Sequence, residues 1–181
     1  MLFRFNINLT EDDYLAFSKF NSFESTHGKK QLNKSRILLI ALMIFMIAIV
    51  LLLGGFTPVT SGYAILVTIL TVLYLLLLKK ILNYYIKAQI KRMKKIGKLP
   101  FDPVSTVEFD EDKLTEATAA SRTEQSYSAL EKICVIKDRY ILLYNSSISA
   151  YILPIQQIKA QSDTDEFLRF ISSKCKTVEY Y

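Results

Sequence analysis

Two stretches of twenty residues without a single charge limit what this chain can become. Residues 37–56 read ILLIALMIFMIAIVLLLGGF, and residues 59–78 read VTSGYAILVTILTVLYLLLL. At 1.5 Å per residue, a helix of that length runs roughly 30 Å, the thickness of a bilayer's hydrocarbon core. The chain has 181 residues, room for one domain of ordinary size plus extras. A soluble core on that scale has no shell thick enough to hide two helices that are apolar on every side. The overall hydrophobic share of 51% would fit a soluble protein too, so it is the clustering that decides. Neither run reads as a cleavable signal, because the first follows thirty-six polar and mixed residues and is too long for a signal's apolar region. Both are expected to remain in the mature protein.

The net charge of +6 is distributed unevenly. Residues 1–36 carry +2, residues 79–98 carry +8 with no acid, residues 99–103 carry −1, and residues 104–181 carry −3. The basic pI of about 9.2 therefore comes from a collar beside the second apolar run, not from a basic domain. Nucleic-acid binding loses its electrostatic support on that ground.

Between the runs lies Thr57-Pro58-Val59-Thr60-Ser61-Gly62, rich in turn-forming residues, with Thr60 or Ser61 as caps for the second helix. So short a link forces an antiparallel hairpin. Its outer ends carry Lys29, Lys30, Lys34 and Arg36 on one side and Lys79 onward on the other. Positive charge beside a span stays cytoplasmic, so both termini are expected inside the cell membrane. Small residues offer a stripe for close pairing: Ala41, Ala48 and Gly55 in the first run, and Ala64, Thr68 and Thr71 in the second. Scattered lipid-facing residues would look the same.

Past Leu78 the helix is expected to continue, with Leu82, Ile86, Ile90 and Met93 on one face, ending at Gly97 and Pro100. The residues placed to meet lipid headgroups are Lys79, Lys80, Tyr84, Tyr85, Lys87, Lys91, Arg92, Lys94, Lys95 and Lys98. Basic residues near an anionic surface contribute about 1 kcal/mol each. A solvated or headgroup-bathed stalk fits this segment better than a target helix for a calmodulin-like partner.

The flanking regions read as a mixed α+β module. Phe3, Phe5, Ile7 and Leu9 alternate with polar residues, a half-buried strand. Thr10-Glu11-Asp12-Asp13 then caps a short helix with an aromatic face of Tyr14, Phe17 and Phe20. One strand and one helix cannot bury themselves, so residues 1–36 need residues 104–181 as partner. In the latter, VSTVEF and KLTEAT flank the turn Asp110-Glu111-Asp112, and a polar strand covers 121–127. EKICVIK and RYILLYN form a hairpin at Asp138, SISAYILP follows, and IQQI links to a helix capped by Asp163 or Thr164 with Phe167, Leu168, Phe170 and Ile171 inward. Antiparallel strands closed by a C-terminal helix suggest a small barrel or sandwich.

In this order the chain resembles the YcxB-like family of bacterial membrane proteins. The resemblance rests on the Phe-rich strand with Thr-Glu-Asp-Asp-Tyr at 10–14, the two spans and the basic linker. It rests also on Phe109-Asp110-x-Asp112-x-Leu114, Arg139-Tyr140-x-Leu142-x-Tyr144 and Ile152-x-Pro154. It implies a two-helix transmembrane hairpin with a pleckstrin-homology-like (PH-like) cytoplasmic domain at 104–181, in the bacterial inner membrane, and it supplies no catalytic residue.

The residues themselves offer little chemistry. His27 is the only histidine, in a stretch read as loop, with nothing to orient it. Asp110 and Asp112 suit a turn better than a metal. The five glycines form no phosphate-cradling loop, and neither run holds an ionisable residue for an ion path. Cys134 and Cys175 read as free thiols. The expectation is a non-enzymatic, cofactor-free membrane protein that tethers an interaction module for a protein partner or lipid headgroups. Its partners would be membrane lipid, a cytoplasmic protein or a second copy of the chain, and not nucleic acid. An immunity or envelope-stress protein shielding the membrane is the alternative, and a metal-dependent enzyme using Asp110 and Asp112 comes last.

Overall fold

The computed structural model describes residues 1–97 and 99–181. The chain divides into two compact units, Met1–Phe17 with Met93–Tyr181, and Ser18–Arg92.

The second unit is helical. A π-helical turn, Phe20–Glu24, leads to Ser25, whose buried hydroxyl donates to the Asn21 carbonyl at 2.8 Å and accepts from the Gly28 N–H at 3.0 Å. That cap starts helix α2 (Thr26–Gly54) well before the apolar run begins. His27 therefore lies exposed in the first turn of a helix, not in a loop. Gly28 is required there, since a Cβ would stand 2.1 Å from the Asn21 carbonyl oxygen. Gly55, at φ 63, ends α2.

Helix α3 (Pro58–Lys95) starts earlier than the sequence suggested. The cap is Thr57, whose hydroxyl accepts from the Thr60 N–H at 3.2 Å while the Thr60 hydroxyl accepts from the Thr57 N–H at 3.0 Å. Pro58 falls in the first turn, where its missing N–H costs nothing. The link shrinks to residues 55–57, and α3 runs 38 residues, about 57 Å, well beyond a bilayer core. Both helices are long and apolar enough to cross a membrane. The half-buried stripe of α2 is Leu39, Met43, Ile47 and Val50, while Ala41, Ala48 and Gly55 are exposed. Steps of four and three keep two adjacent rows in line, whereas one residue every seven covers a single row.

The first unit is a two-sheet domain. Strands β1 (Phe3–Asn8), β2 (Val104–Phe109), β3 (Lys113–Thr118) and β4 (Arg122–Ser126) form one antiparallel sheet in chain order. The other sheet has the order β7-β6-β5-β8, built from β5 (Lys132–Ile136), β6 (Tyr140–Tyr144), β7 (Ala150–Pro154) and β8 (Val178–Tyr180). Strand β8 is an addition to the sequence reading and runs parallel to β5, tied by a 2.9 Å Lys132–Glu179 ion pair. Inward residues of both sheets share one core, including Phe5, Ile7, Val107, Phe109, Ile133, Ile141, Leu143 and Leu153. Over it lies α5 (Thr164–Lys174), capped by Asp163, which accepts from Asp165 and Glu166 backbone N–H groups. Phe167 is fully buried among Phe3, Phe5 and Phe109, with ring centres 4.8–5.3 Å away. Of the other expected inward residues, Ile171 is buried and Leu168 and Phe170 are half-buried.

The second sheet is buried on both faces, which explains why its strands read as unbroken apolar runs. Cys134, Leu142, Tyr144 and Ile152 point away from the shared core yet are buried. Helix α1 (Glu11–Lys19) contributes to that cover, with Phe17 packing on Tyr144 at 6.3 Å and Asp13 accepting the Tyr140 hydroxyl at 2.7 Å. The stretch IQQI is not a plain link but the start of a short helix, α4 (Ile155–Lys159). Its Ile155 and Ile158 enter the core.

Candidate functional site

At one end of the domain the two sheets part. The register sets Val107 opposite Glu116, and Glu116 opposite Thr123, so all three share the inward row of the first sheet. Ser105 precedes Val107 on that face and is buried. The core row thus turns from Phe109, Val107 and Leu114 to Ser105, Glu116 and Thr123. Where it turns polar, a cleft of about 370 Å³ opens.

Beside that row of the first sheet, four further parts of the domain wall this cleft. Helix α1 supplies Tyr14 and Phe17, and the approach to β2 supplies Pro100, Phe101 and Asp102. Tyr14 stacks on Phe101 with ring centres 5.2 Å apart and planes 22° from parallel. From the second sheet come Tyr151, Ile152 and Leu153, and from the preceding loop Asn145 and Ile148. The Tyr151 hydroxyl donates to Gln125 Oε1 at 2.9 Å, which leaves its ring as cleft wall.

Burial raises the Glu116 carboxyl above its ordinary value; a hydrogen bond from Ser105 works against the rise, and the charge of Asp102 adds to it. Burial also raises the Tyr151 phenol, helped by the Glu116 charge. Among the described residues the cleft lining contains no lysine or arginine.

The residues singled out for lipid headgroups are elsewhere. Lys79, Lys80, Tyr84, Tyr85, Lys87, Lys91, Arg92, Lys94 and Lys95 all lie on α3 and are exposed. Lys98 lies outside the described residues. Leu82, Ile86, Ile90 and Met93 are the less exposed positions of the same segment, as the spacing indicated. Lys94 is engaged, forming an ion pair with Glu11 of α1. Asp110 serves its turn, its N–H donating to the Lys113 carbonyl at 2.9 Å and its carbonyl accepting the Tyr127 hydroxyl at 2.9 Å. Among the described residues no three His, Cys, Asp or Glu side chains gather as a metal site. Burial pushes the Cys134 thiol up to about 12.

The stretch from Phe109 at the end of β2 to Ile171 in α5 decides the family comparison. Residues 109–171 match the family model described as YcxB-like protein. The three C-terminal motifs that carried the resemblance fall inside this match. No curated protein and no solved structure matches the chain. The YcxB-like segment covers β3 to β7 but leaves out β1 and most of β2, whose Phe5, Ile7 and Val107 belong to the same core. It includes Glu116 and Tyr151 of the cleft, but not Tyr14, Phe101 or Asp102.

Glu116 went unread in the sequence, although the signal is there. In KLTEAT, Leu114 and Glu116 fall on one side of a strand, so a carboxylate stands where alternation calls for an apolar residue.

Proposed function

We propose that the chain is a non-enzymatic integral membrane protein of the YcxB-like type that holds an interaction module at the cytoplasmic face of the bacterial inner membrane. The observation that carries this reading is the pair of long apolar helices joined by a three-residue turn, in one chain with a two-sheet domain. A hairpin keeps its outer ends on one side, and Lys29, Lys30, Lys34, Arg36, Lys79 and Lys80 hold that side in the cytoplasm. Two packed sheets closed by a C-terminal helix support the PH-like assignment. Exposed lysines and tyrosines on α3 suit contact with anionic headgroups, as a secondary attachment. Insertion of two such helices already secures the protein in the bilayer, so the collar serves orientation and lipid choice rather than retention.

The test is thiol labelling of Cys175, the more accessible cysteine. A membrane-impermeant maleimide is expected to label it only after cells are permeabilised, with Cys134 unreactive in both cases. Labelling of Cys175 in intact cells overturns the orientation and the cytoplasmic role with it.

A further inference from the structure

We propose that the cleft binds an organic cation: a protonated amine or a guanidinium on a short apolar stem. A carboxylate on the inward row of a sheet is costly unless something neutral or positive meets it. Glu116 stands in that row opposite Val107, and its protein partner is the Ser105 hydroxyl, not a base. Asp102 adds a second negative charge at the rim. The walls beside these acids are aromatic, with the stacked Tyr14 and Phe101 on one side and Tyr151 on the other. A cation takes its two favoured replacements for water here, a carboxylate and the negative faces of π systems. The volume of about 370 Å³ lies at the small end for ligand cavities, matched to one headgroup and its stem. Phosphate is the ligand class these walls disfavour, since the described residues that line the cleft include two acids and no base. The cleft and the basic face of α3 are thus opposite in charge preference. The inference names the ligand class of the interaction module proposed above and rests on that reading for its setting alone.

The experiment is isothermal titration of the full chain in a neutral detergent, with agmatine and with a capped tripeptide, acetyl-Ala-Arg-Ala-amide. Saturable binding of at least one probe is expected, weakened about tenfold or more in Glu116→Gln, since a charge-assisted hydrogen bond is lost. Asp102→Asn, on an exposed residue, is expected to weaken binding a few-fold, whereas Glu131→Gln outside the cleft leaves it unchanged. Binding should also fall as pH drops through the titration of Glu116, because only its ionised form attracts the cation; the other titratable side chains among the described residues lining the cleft are Asp102, Tyr14 and Tyr151. Tripeptide binding alone assigns the cation to a protein side chain, and agmatine binding alone assigns it to a free amine. No binding of either probe, equal binding by Glu116→Gln and Asp102→Asn, or equal binding of a neutral alcohol of agmatine's length overturns the proposal. Each of these readouts is independent of membrane orientation, so failed thiol labelling and failed cation binding are separate results.

Discussion

Asp13 joins three groups that come from distant parts of the chain or from its own helix start. Its carboxylate accepts from the Thr10 N–H at 2.8 Å, the Thr10 hydroxyl at 2.7 Å and the Tyr140 hydroxyl at 2.7 Å. Burial raises its pKa, but these hydrogen bonds outweigh that and hold it below the ordinary value. Asp13→Ala is expected to cost about 1–2 kcal/mol in denaturant unfolding, the sum of a lost cap and a lost bond to β6. A carboxyl lowered in the folded state stabilises above its unfolded pKa and loses that effect as pH falls through its folded value. The gap between wild type and Asp13→Ala should therefore close below about pH 4; a gap that stays constant into acid would rule out the ionised carboxylate as the source. The cap was legible in Thr10-Glu11-Asp12-Asp13, since cap and helix are neighbours in sequence. The bond to Tyr140 was not, because nothing local links residues 127 positions apart.

At the scale of elements, the free edge of β1 shows what a local reading passes over. An unpaired edge strand invites pairing with another chain. Here Gln157 and Gln161 act as a substitute strand. Gln157 accepts from the Asn8 N–H at 2.8 Å and donates to the Asn8 carbonyl at 2.7 Å; Gln161 does the same for Asn6 at 2.8 and 3.0 Å. The four-residue spacing of the two glutamines puts both on one side of a helical turn, which is why IQQI had to be helix and not link. Changing both to Ala is expected to cost about 1–3 kcal/mol and to speed amide exchange at Asn6 and Asn8 selectively. Unchanged exchange at those two amides would mean that water satisfies the edge equally well. Strand β8 escaped the sequence reading for a different reason. Three residues, Val178–Tyr180, carry too little periodicity to register, and only pairing with β5 makes them a strand.

At the scale of the whole chain, the domain is assembled from two segments that the long helices separate. Phe5 and Ile7 are buried at 0% and 1% exposure, and each sits in the core shared with residues from 107 to 171. A fragment of residues 100–181 therefore exposes the face of β2 edge and core that β1 covers, and is expected to aggregate or melt without cooperativity. Joining residues 1–17 to that fragment by a flexible linker should restore a cooperative thermal transition. A cooperative transition in residues 100–181 alone would show that β1 is dispensable. The consequence for function is that the cleft depends on both segments, since Tyr14 comes from the first and Phe101, Glu116 and Tyr151 from the second.

What the sequence by itself determined is whatever depends on neighbours along the chain: two uncharged runs of spanning length, a basic collar, strand alternation, the cap at Thr10, and a helix start at Asp163 or Thr164 that the structure settles on Asp163. It also held the motifs between Phe109 and Pro154 that fall within the YcxB-like match. Tertiary structure alone decided which alternating face meets the core, where two sheets diverge, and which polar residue is left inside the opening. Alternation in KLTEAT sets Glu116 on the same side as Leu114, but only pairing with β2 and β4, opposite Val107 and Thr123, turns that side inward. Burial, and the electrostatics that burial controls, depends on what surrounds a residue in space; a local pattern sorts residues onto faces but does not supply the neighbours that cover them.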